Sequence, residues 1–137
     1  MQAPIWLTHH TGDATRERCI HWRGLAVCRR CLALWPFVLA AIITQIVMHA
    51  PGQGERDALA AVVLAPAVIE YVRVHGLGAP YRTAHVWLVT PLAGLALGRL
   101  LYRHMVHPFD PLAWSIMGLA ALPTGWALWR YHSRSSQ

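Results

Sequence analysis

Cys28 and Cys31 stand three residues apart in the stretch CIHWRGLAVCRRC, residues 19–31. Two thiolates at this spacing can share one metal ion, each sulfur about 2.3 Å from it. Two thiols at this spacing can also close on each other as a redox pair. Zinc requires about two more ligands. Cys19 and His21 lie in the same stretch, and His9 and His10 lie upstream of it. His75 and His85 flank a later loop and could reach in from across the fold. Three cysteines is an odd number, which argues against a closed disulfide framework. Reduced cytosolic thiols favour a metal site over a structural disulfide. The plainest alternative is that the cysteines are small apolar residues packed at a helix start.

The elements that must position these groups are membrane spans. Hydrophobic residues make up 55 % of the 137-residue chain and charged residues 13 %. Soluble domains carry about 25 % charged residues, so too few charges are present to coat a water-facing surface. The pattern predicts an all-α integral membrane protein, a four-helix transmembrane bundle with spans at about 32–49, 58–74, 85–102 and 111–129. At about 1.5 Å rise per residue, such lengths nearly match a hydrocarbon core of about 30 Å. Residues 1–31 form a polar, Cys/His-rich N-terminal segment and 130–137 a polar tail. Pro36 is expected in the first turn or two of the first span, where a missing N–H costs least.

All twelve basic residues besides histidine are arginine, and the net charge is +6. Nine arginines fall on the side of the termini and three on the other, which predicts that both termini are cytoplasmic. The arginines flank apolar runs and do not line one helix face, so they read as topology signals beside phosphate headgroups, not as a nucleic-acid surface. Residues 1–18 show no cleavable signal peptide, so the first span is expected to direct insertion. Trp35, Trp87, Trp114 and Trp129 fall near span ends, as interfacial anchors do.

Glu70 is the one acid within the expected spans. An ionisable group at membrane depth suggests a proton or cation relay, or a metal ligand. Near a helix end it can instead pair with Arg73, Arg82 or His85. His49, His75, His85 and His104 all lie near span ends, which argues against axial ligation of a haem or chlorin. Gly94 and Gly98 form a GxxxG pattern that permits close helix approach, read here as packing within the bundle.

Further residues carry a resemblance. His9-His10, Glu17-Arg18-Cys19, Gly24 and Val27-Cys28-Arg29-Arg30-Cys31 precede the first span; Pro66, Glu70, Arg82 and Thr90-Pro91-Leu92-Ala93-Gly94 follow it. This order resembles the domain of unknown function 2085 family of small prokaryotic membrane proteins, over roughly residues 9–98. That family has Cys where this chain has His9, Thr-Gly where it has Leu32-Ala33, and Ser where it has Cys19. The resemblance implies a multi-span protein of a prokaryotic inner membrane and implies no activity. It suggests His9 or His10 with Cys28 and Cys31 as ligands, leaving Cys19 spare or fourth.

The sequence contains no Ser/His/Asp set, HExxH, phosphate loop or paired intramembrane carboxylates. The expectation is an accessory or scaffold subunit that carries a structural zinc site and packs against the lipid bilayer and other membrane subunits. The alternatives are a metal- or thiol-dependent enzyme acting on a lipid-soluble substrate, and a metal or proton carrier using Glu70.

Overall fold

The computed structural model describes residues 18–22, 25–49 and 54–135. Among them the four apolar runs form four helices: α1 (Arg29–Val47), α2 (Gly54–Tyr71), α3 (Thr83–Val106) and α4 (Pro111–Ser135). Each is long and apolar enough to cross a membrane. A helix satisfies its backbone polar groups internally, which the hydrocarbon core demands. Leu39, Ile43, Val47, Leu59, Val62, Leu88, Leu119 and Leu122 are all exposed on the outside of the bundle. Water does not tolerate an apolar surface of that extent. The chain is a multi-pass membrane protein, and lipid is the solvent of these faces.

Each helix runs past at least one expected span end, although α1 stops at Val47, short of 49. α1 begins at Arg29, inside the segment expected to be a polar lead-in. Pro36 therefore lies two turns into the helix, not in its first turn, and costs α1 an internal hydrogen bond. α2 continues into a π-helical turn, Val72–Gly76. α4 runs on through Arg130, Tyr131 and His132, so the expected tail is helical as far as Ser135. Ahead of α1 lies an antiparallel hairpin that span reasoning does not foresee: β1 (Cys19–Trp22) and β2 (Leu25–Cys28).

The topology is up and down. The start of α1, the end of α2, the start of α3 and the end of α4 share one end with the hairpin, here called the thiol end. α3 is the most buried helix. It packs against α1 on one side and α2 on the other, and α2 in turn packs against α4. Small residues set the α1–α3 contact. A Cβ on Gly94 would lie 2.6 Å from the Leu34 carbonyl oxygen, and one on Gly98 would lie 2.6 Å from that of Val38 and 2.7 Å from Ala41 Cβ. Gly98→Ala is therefore expected to cost about 1–3 kcal/mol by overpacking. Gly118, where a Cβ meets nothing within 4 Å, is the control. Melting temperature in detergent should fall for Gly98→Ala and not for Gly118→Ala; equal effects would contradict the close approach.

Candidate functional site

The hairpin and the first turn of α1 bring the thiols together. In the hairpin register Cys19 faces Cys28 and His21 faces Ala26. Paired residues, and residues two apart, share a sheet face, so Cys19, His21, Ala26 and Cys28 lie on one side. Cys19, Ala26 and Cys28 are buried against the bundle, while His21 is exposed. Cys28 is also the N-cap of α1. Cys31 follows in the first turn, its thiol beside that of Cys28 and within electrostatic reach of Cys19. None of the three is in a disulfide.

Two thiols in contact can supply half of a tetrahedral site. Among the described residues, no three Cys, His, Asp or Glu side chains are placed to hold one metal ion. His9 and His10, the other candidates, lie outside the described residues. His75 is held among aromatic rings. It is buried, stacks on Tyr71 with ring centroids 4.2 Å apart, and meets Tyr131 edge-on at 5.5 Å. Its Nδ1 lies 3.2 Å from the Tyr71 carbonyl oxygen.

Around the thiols lies a layer of guanidinium and aromatic groups. Arg30, between the two cysteines, places a nitrogen 2.6 Å from Glu70 Oε2, each side chain being 12 % exposed. Glu70 is thus paired, and with Arg30 instead of the expected Arg73, Arg82 or His85. Arg30 also lies over the Tyr71 ring at 5.0 Å and the Tyr81 ring at 5.9 Å. Arg18 lies over Tyr81 at 5.6 Å and Tyr131 at 5.4 Å. Such contacts let a desolvated guanidinium trade water for ring faces. Burial pushes the Tyr81 phenol above its usual value, and the nearby Arg30 charge opposes that shift. Arg29 donates to Thr83 Oγ1 at 3.2 Å, and Arg134 donates to the Gly76 carbonyl oxygen. These bonds tie α1 to α3, and the end of α4 to the π-helical turn. Arg82 and His85 are exposed on the outer side of this layer.

A second polar assembly occupies the opposite end, and the sequence reading missed it. Asp57, fully buried at the start of α2, accepts from Arg99 Nε at 2.8 Å through one oxygen and from Arg103 through the other. Arg99 also donates to Gln45 Oε1 at 2.7 Å, and Arg103 to Asp110 Oδ2 at 2.7 Å. Asp110 caps α4 by accepting from Ala113 N at 3.0 Å. Arg103 and that backbone N–H hold the Asp110 carboxyl below the usual carboxylate range. All four helices meet in this lock. A signal was available: Arg99 and Arg103 stand one helical turn apart, on one face of α3.

Between the two assemblies the helices leave a cavity of about 480 Å³. It is lined by Leu64, Val68, Ala93, Leu97 and Met117, with Arg30, Cys31 and Tyr71 towards the thiol end. Cys31 is the half-exposed thiol of the three. A chamber this apolar, with a few polar groups at one end, has the character of a small-molecule site. A scan against protein-family models finds no match to the chain, and no curated protein or solved structure matches it.

Proposed function

We propose that the chain is a small accessory or scaffold subunit of a membrane assembly, with a structural Cys/His zinc site at its thiol end. The observation that carries this is the contact of the Cys28 and Cys31 thiols at the start of α1, backed by Cys19 across the hairpin. His9 or His10 would supply a third ligand, with Cys19 spare or fourth. The burial of Cys28 argues against exchange with a partner's thiol, since a redox CxxC needs access. Bound zinc would fasten the N-terminal segment to the bundle, because metal-binding free energy acts as folding free energy. The excess of arginine at this end supports a cytoplasmic location for it, in a prokaryotic inner membrane. Exposed Trp35, Phe37, Trp87 and Trp129 suit lateral packing against other subunits. The order of Cys, His, Arg and Gly that resembles the domain of unknown function 2085 family agrees with this proposal.

Elemental analysis of purified protein tests it. Wild type should carry about one zinc per chain, and Cys28→Ser/Cys31→Ser should lose both the zinc and thermal stability. A zinc-free wild type with freely titrating thiols would sink the metal site. A second reading, thiol- or metal-dependent chemistry on a lipid-soluble substrate, is favoured by Cys31 lining the cavity. Zinc lost with stability intact would support that reading over the structural one.

A further inference from the structure

We propose that a pocket between α2 and α3 at the thiol end binds the phosphate of an anionic phospholipid. The pocket measures about 430 Å³. Three basic side chains from three consecutive elements line it: Arg73 from the π-helical turn, Arg82 from the connection, and His85 from the first turn of α3. None of the three has a hydrogen-bond or ion-pair partner among the described residues. Among the described residues, the acids are engaged with other arginines. Glu70, which also lines the pocket, is held by Arg30 at 2.6 Å, and Asp57 and Asp110 are held by arginines at the far end. The pocket therefore keeps a surplus of positive charge.

The backbone adds to that field. α3 has no acidic residue in its first turn and no side-chain cap. The N–H groups ahead of His85 lack helical partners and favour an anion there, while that of His85 donates to the Arg82 carbonyl oxygen at 3.1 Å.

The remaining wall decides between a free phosphate and a lipid. Pro66, Ile69 and Val89 continue the pocket along the two helices, away from the basic groups. These residues belong to the membrane spans Asp57–Gly76 and Thr83–Val106, so the basic groups stand at span ends, at headgroup depth. An occupant with a phosphate on an apolar chain satisfies both parts of the pocket. Inorganic phosphate leaves the apolar wall unused. The proposal does not depend on the zinc site.

Brominated phosphatidylglycerol and brominated phosphatidylcholine, each titrated into the detergent-solubilised protein, provide the test. Lipid retained per chain after gel filtration, counted by its bromine, is the readout, because the seven tryptophans would all report quenching together. Wild type should favour phosphatidylglycerol by about tenfold or more, and Arg73→Gln or Arg82→Gln should each reduce that preference about fivefold. Arg130→Gln, which removes an equal charge outside the pocket, should leave it unchanged. Equal binding of the two lipids by wild type would overturn the proposal, as would an Arg130→Gln loss matching that of Arg82→Gln. Inorganic phosphate that displaces the lipid as readily as short-chain phosphatidylglycerol does would identify a soluble ligand and overturn the lipid assignment. The wild-type comparison and the phosphate competition require no variant to fold.

Discussion

Asp57→Ala should destabilise the folded bundle by about 3–5 kcal/mol, the usual cost of removing one partner from a buried charge pair. The carboxylate serves Arg99 with one oxygen and Arg103 with the other, at a site closed to solvent. Its removal leaves two guanidiniums among four helices with Asp110 and Gln45 as their remaining acceptors. The site is closed to solvent, so water cannot repair this as it would on an exposed surface. Unfolding in mixed micelles, followed by far-ultraviolet circular dichroism, measures the loss. Asp57→Leu/Arg99→Met/Arg103→Met should recover much of it, because apolar groups of similar volume often replace a buried ion set without penalty. A loss under about 1 kcal/mol for Asp57→Ala would mean that the far end is hydrated.

Arg30 and Glu70 should show the next largest effect, as a pair. Arg30→Met leaves a buried carboxylate between α1 and α2 and removes the guanidinium from the face of Tyr71. The expected loss is again about 3–5 kcal/mol, and Glu70→Leu should cost a comparable amount by stranding Arg30. The double variant should be more stable than the sum of the two losses predicts. That non-additivity, measured in a double-mutant cycle, separates a coupled pair from two independent contacts. Additivity within about 0.5 kcal/mol would deny the pair.

The spans were legible because a bilayer imposes one requirement, about twenty apolar residues. Their ends were not, for a physical reason. Arg29 and Arg30 look like the end of a polar lead-in by hydropathy, yet they open α1, since Thr83 and Glu70 accept from them inside the bundle. At the other terminus, Arg130 to Arg134 remain helical because backbone hydrogen bonding does not stop where lipid does. The hairpin left a faint trace. Cys19 to Trp22 and Leu25 to Cys28 flank Arg23-Gly24, a two-residue link of hairpin length.

The candidate site was legible in composition and not in pairing. Cys28 and Cys31 meet because three residues span one helical turn, a local fact. Arg30 with Glu70, and Asp57 with Arg99, join residues some forty positions apart in sequence. No periodicity within a helix encodes which of several arginines an acid will choose. That choice follows from the way α1 and α2 are set around α3, which the sequence reading had no means to establish.

The arrangement around α3 also has a bearing on biosynthesis. α1 and α2 leave the ribosome first and as neighbours, but each packs mainly against α3. The newly inserted pair has few contacts to hold it together and waits in the bilayer as two loosely related helices until the third arrives. α3 then delivers both Gly94 and Gly98 to α1 and Arg99 and Arg103 to Asp57 in one step. Chains truncated before residue 83 should consequently persist as targets for membrane quality control, while the full chain passes through that exposed stage once.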